Sequence, residues 1–192
     1  MSSERQGGLL FSTERDSHTP EILAVDALGW PGILVKGLTL FGSRVSVLAQ
    51  LDEAAHALRL RTNTPPVTDR SSVALWEWPE LPAPPSAVKL SAVLAAGSRW
   101  QQGMKVVSGF AGFSSTVLVL PRDQPTPSPC LVAAERYGVW VVRADSAETV
   151  VEHRGRVGPV VTARPTTVTR WTEELVYARL IEDDLIEASP AR

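Results

Sequence analysis

The chain has 192 residues, 44% of them hydrophobic and 21% charged, with a formal net charge of −2. That balance excludes global disorder and a strongly basic nucleic-acid binder, and it fits one soluble domain with a real core. A single cysteine excludes an internal disulfide framework, and no apolar run approaches the ~20 residues of a membrane-spanning helix.

Residues 1–18 are polar and read as a flexible tail, and 19–192 read as a single α/β domain. The opening "MSSERQGGLLFSTERDSHTP" lacks the apolar core of a signal peptide, so a cytoplasmic chain is expected. "TPEILAVDALG" predicts a short helix, with Thr19 as cap, Pro20 in the first turn, Glu21 at the positive end and Gly29 as stop. Residues 32–62 read as a three-stranded antiparallel meander. Val45, Val47 and Ala49 alternate with Ser46, Leu48 and Gln50, and Leu58 and Leu60 alternate with Arg59 and Arg61, with "LDEA" as the turn between them.

"TPPVTDR" is a loop, "SVALWEW" predicts a fourth strand, and "PELPAPPS" is a stiff linker. "SAVKLSAVLAAG" predicts a helix between Ser86 and Gly97. "RWQQGMKVVSGFAGFSS" holds glycines at 103, 109 and 112 and fits at most an irregular helix. "STVLVLP" is apolar enough for a strand covered on both faces. "PSPCLVAAERYG" predicts a helix with Ser128 as cap, Pro129 in the first turn and Gly138 as stop. "VWVVRA" is a second buried strand, and "ETVVEHRGR" and "GPVVTAR" are shorter candidates. "TTVTRWTEELVYARLIEDD" is the last helix, with Trp171, Leu175 and Ala178 on one face. Strands at 116–120 and 139–143, joined by one helix, should be parallel. The expected fold is therefore α/β, with a mixed sheet in which an antiparallel meander leads into a parallel half, and helices on both faces.

This order resembles the restriction-endonuclease-like superfamily, the PD-(D/E)XK nucleases, from about Thr19 to Arg143. "STVLVLP" followed by "CLVAAERYGVWVVRAD" carries the likeness. The resemblance implies an acid on one strand and, on the next, an acid, any residue and a lysine. Two such carboxylates hold a divalent metal that polarises phosphate, and the lysine stabilises developing charge. By that resemblance the third-strand site is Glu77-Trp78-Pro79, with proline at the lysine position. Lys89 would then return the amine. The first acid would be Asp69, or Asp52 or Glu53 in the "LDEA" turn, and Glu77 with Asp69 would be the metal pair.

Other features compete for the functional role. Arg154, Arg156, Arg164 and Arg170 make "EHRGRVGPVVTARPTTVTRW" the most basic stretch, and guanidinium groups suit phosphate. Trp76 and Trp78, two apart on one expected strand, would form a partner face with Glu77 pointing the other way. His18, His56 and His153 lack zinc spacing. Cys130 sits at a helix start, where a thiol is either acidified or packed as a small hydrophobe.

The leading expectation is a non-catalytic binding or adaptor module on a degenerate nuclease-like fold, without a cofactor. Its partner would be a protein, a second copy of the chain, or a nucleic acid. One alternative is a metal-dependent phosphodiesterase using Glu77, Asp69 or Asp52, and Lys89 with Mg²⁺ or Mn²⁺. Another is a structural subunit of a larger assembly.

Overall fold

A computed structural model describes residues 19–145 and 148–188. The tail expected over 1–18 therefore lies outside the described residues, as do 146–147 and 189–192.

Helix α1 (Pro20–Leu28) ends at Gly29, whose left-handed backbone (φ 64°) closes it as expected. Strands β1 (Ile33–Leu40) and β2 (Ser43–Leu51) form a tight antiparallel hairpin. The third meander strand expected near Leu58–Arg61 is instead helix α2 (Glu53–Arg61). Its N-cap is Asp52, whose carboxylate accepts from the Ala55 N–H at 3.0 Å. Glu53 stands in the first turn and Arg59 and Arg61 in the last, which suits the helix dipole. The alternation of leucine with arginine had suggested buried leucines. The structure inverts it: Arg59 is 1% exposed and Leu58 is 40% exposed.

"SVALWEW" is likewise not a strand. It forms the short helix α3 (Arg70–Ala74) and a 3₁₀ turn at Leu75–Glu77. Asp69 caps α3, accepting from the Ser72 N–H at 2.7 Å and the Ser72 hydroxyl at 2.8 Å. The true third strand is β3 (Val88–Ala96), where a helix was expected. Alanine and leucine favour helix locally, but β3 lies between two other strands. Ala92, Val93, Leu94 and Ala95 are buried in it, the continuous apolar run of a central strand. Ser86 caps nothing there; its hydroxyl donates to Glu173 at 2.7 Å and lies 2.9 Å from the Val88 carbonyl.

Helix α4 (Trp100–Ser108), strand β4 (Ser115–Pro121), helix α5 (Ser128–Tyr137) and strand β5 (Trp140–Ala144) follow. Gly103 does not weaken α4 idly. A Cβ there would lie 2.4 Å from Leu118 Cδ1, so the glycine lets the helix approach β4 closely. Strand β6 (Thr149–His153) pairs antiparallel with β5. "GPVVTAR" forms no strand; Val161 is almost wholly exposed. Helix α6 (Thr167–Glu182) closes the fold, with a Thr166–Thr169 capping box.

The six strands lie in chain order, β1 to β6. β1–β2–β3 are antiparallel, and β3–β4–β5 are parallel. One face of the sheet carries Val47, Val93, Leu118 and Val141 against α2, α4, α5 and α6. The other carries Leu48, Leu94, Val117 and Val142 against α1, with Trp30 edge-on to Trp140. Cys130 belongs to the first face, fully buried, and burial pushes its thiol pKa up. Among the described residues, no helix is long and apolar enough to cross a membrane.

Candidate functional site

The segment between α2 and β3 crosses the outside of α6 as a long strap. It is tied down at both ends by charge. Arg59 on α2 donates from Nη1 and Nη2 to Glu174 Oε1 and Oε2 on α6, at 2.7 and 2.8 Å. Both side chains are only 1% exposed. The fork geometry suits a guanidinium and a carboxylate, and the pair is one of the stronger kinds of hydrogen-bonded contact.

The same groups hold the strap's backbone. Arg59 donates to the carbonyls of Thr64 (3.3 Å) and Pro65 (2.8 Å). Glu174 accepts from the Val67 N–H at 2.9 Å. At the far end, Arg170 donates to the Pro84 carbonyl at 2.7 Å and to Glu174 at 2.9 Å. Ser86 donates to Glu173 at 2.7 Å. Burial raises the Glu173 pKa, against the opposing pull of Ser86 and Arg170. Burial lowers that of Arg170, against the opposing effect of Glu174 and Glu173. Trp171 Nε1 adds a bond to the Thr68 carbonyl at 2.7 Å. Tyr177 lies beneath Arg59, 4.7 Å from ring centre to guanidinium carbon, and its hydroxyl meets His56 Nδ1 at 3.0 Å.

Between these anchors the strap turns its apolar side chains outward. Leu75 is 52% exposed, Trp78 64% and Leu81 47%. Val73, one turn earlier, is buried and fixes the orientation of α3. The two tryptophans do not share a face. Trp76 is half-buried, with the Arg170 guanidinium 5.3 Å from its ring centre, while Trp78 faces solvent.

The residues expected to form a nuclease site serve separate elements. Asp52 caps α2, Asp69 caps α3, Glu77 is exposed on the 3₁₀ turn, and Lys89 is exposed on β3. β3 itself carries no carboxylate. Among the described residues, no three His, Cys, Asp or Glu side chains converge as metal ligands would. Hydrogen bonds from Ser72 hold the Asp69 carboxyl below its ordinary pKa.

The four arginines of the basic stretch are also divided. Arg170 belongs to the clamp. Arg156 packs on Gly138 and donates to the Tyr137 carbonyl at 3.3 Å. Arg154 and Arg164 are exposed. Arg164 and Lys89, expected in different sites, line one cleft together with Glu173.

Sequence reasoning missed the clamp. Arg59 and Glu174 are 115 positions apart, and no local pattern links them. The available signal was Glu174 itself, an acid at the same face as Arg170 one turn earlier. Compared with known proteins, the chain matches no family model, no curated protein and no solved structure.

Proposed function

We propose that this chain is a non-catalytic binding module whose partner is a protein and whose contact face is the strap at Leu75, Trp78 and Leu81. The observation that carries the reading is a 64% exposed tryptophan held between two exposed leucines on a segment fixed at both ends. A tryptophan in water is normally covered, and tryptophan is enriched among residues that dominate binding energy. Anchoring the strap before contact reduces the ordering cost on association. The engagement of Asp52 and Asp69 as helix caps supports a role without chemistry at those carboxylates.

The test is site-specific crosslinking. A photoreactive residue replacing Leu81 should trap a discrete protein partner from the native host, while the same residue replacing Glu53 should not. Binding of that purified partner should then weaken about 30-fold for Trp78→Ser, the ~2 kcal/mol of a hot spot. Equal trapping at both positions, or unchanged affinity of the variant, overturns the reading.

A further inference from the structure

The β1–β2 hairpin turns in two residues. Phe41 has φ 49° and Gly42 has φ 74°, both positive, as in a type I′ turn. Such turns favour Asn-Gly, because a bulky residue is strained in the left-handed region. A phenylalanine nevertheless occupies the first position, and it is 50% exposed. Its ring is held by Phe110, Phe113 and Trp171, with centroids 5.7, 5.8 and 5.9 Å away. An aromatic cluster thus supports a strained residue that presents its ring to solvent, the kind of outlier that points to function.

The ring borders a cleft of about 540 Å³ that also includes Ser43, Gln102 and Lys105. A second cleft, of about 340 Å³, shares Gln102 and Val106 with it and adds Arg44, Ser98 and Arg99. No aspartate or glutamate lines either one. Arg99 and Lys105 are exposed, and their side chains make no ion pair or hydrogen bond with another described residue, while the Arg44 guanidinium packs over Gly37 on β1. In a chain of net charge −2, this is a local excess of positive charge beside an exposed ring.

We propose that the joined clefts bind a free nucleotide, with its base against Phe41 and its phosphates between Arg99 and Lys105. Guanidinium groups match phosphate oxygens in pairs, and a base stacks on an aromatic ring whatever its identity. The volumes fall in the ~300–1,000 Å³ range of small-ligand sites. Inorganic phosphate would leave the ring unused, and an uncharged aromatic would leave the cations unpaired. A nucleotide uses both. The site does not depend on the strap face.

Calorimetry on the full chain tests this, with ATP, inorganic phosphate and a single-stranded thymidine octamer as probes. ATP should bind, and more tightly than inorganic phosphate. Affinity for ATP should fall about tenfold in Phe41→Asn, which keeps a residue suited to the turn while removing the ring. It should fall at least as far in Arg99→Gln/Lys105→Gln. Unchanged circular dichroism would show that both variants fold. Three results would overturn the proposal: no ATP binding, ATP affinity indifferent to either variant, or phosphate binding as tightly as ATP. An octamer binding more than about tenfold tighter than ATP would also overturn it, because the ligand would then be a strand.

Discussion

From Ser115 to Ala144 the chain is fixed by apolar contact, and from Thr64 to Ser86 it is fixed mainly by charge. In the first region β4 and β5 bury Val117, Leu118, Val119, Val141 and Val142 completely or nearly so, and α4 and α5 pack on one side of them. In the second, Val73 is buried, but the ends are held by a guanidinium from α2 and a carboxylate from α6, and the strap's own carbonyls and amides supply further hydrogen bonds. Apolar contact is non-directional and tolerates adjustment. A buried ion pair is directional, and removing one partner leaves the other charged, desolvated and alone. The two regions should therefore answer substitution differently.

The largest effect is expected at the clamp. Glu174→Gln leaves Arg59 and Arg170 without their shared carboxylate and should cost about 3–5 kcal/mol in denaturant unfolding. Protease cleavage within 69–83 should rise as well. Arg59→Met/Glu174→Leu should recover part of the stability, since an apolar pair can replace a buried ionic one while Arg170 and the Val67 N–H still lack Glu174. It should not restore protease resistance, because the carbonyls of Thr64 and Pro65 stay untied. A single substitution costing under about 1 kcal/mol would mean the strap is held by something other than charge.

The apolar region supplies the contrast. Gly103→Ala places a methyl 2.4 Å from Leu118 Cδ1, and such overpacking costs about 1–3 kcal/mol. Leu118→Val in the same chain should relieve it. Neither change should alter cleavage in the strap, and a rise in cleavage would show that the two regions are coupled.

A smaller effect distinguishes the clamp by pH. Burial raises the Glu173 pKa in the folded state. The stability this group contributes is therefore present below its unfolded pKa and is lost as pH rises through the folded one. Glu173→Gln removes that dependence. The variant should gain on wild type as pH rises from the acidic range to neutrality, measured as the difference in denaturation midpoint. A difference that stays flat across that range would place Glu173 in an ordinary solvated setting.

The same contrast explains what could be read from sequence. β4, α5, β5 and α6 were legible because their signals are local. An all-apolar run, a proline in the first turn with a glycine stop, and a helical periodicity each need no distant partner. The core face of α6 is nonetheless Thr172, Val176, Tyr177 and Leu180 rather than the expected Trp171, Leu175 and Ala178, which are half-buried. α2 and β3 were not legible, because distant neighbours decide them. Leu58–Arg61 alternates like a strand, yet Asp52 caps a helix there and Glu174 draws Arg59 inward. "SAVKLSAVLAA" has helix formers throughout, yet β2 and β4 flank it. At the candidate site, Trp78 and Trp76 stood out from sequence. Their separation onto different surfaces depends on the 3₁₀ turn and on Arg170, which arrives from α6.

The tryptophan pair gives the smallest expected change and the sharpest comparison. Trp76 lies against Arg170, inside the clamp, so Trp76→Ser removes a cation–π contact of about 0.5–2 kcal/mol together with its packing. Trp78 is 64% exposed and Leu81 beside it 47%. Trp78→Ser should therefore leave unfolding stability within about 0.5 kcal/mol of wild type, as for other surface positions. Two indoles only two residues apart would then divide the work, one fixing the strap and the other facing outward from it. If Trp78→Ser destabilises as much as Trp76→Ser, both rings belong to the clamp. The exposed face would then be a by-product of anchoring, and the case for a partner there would fail with it.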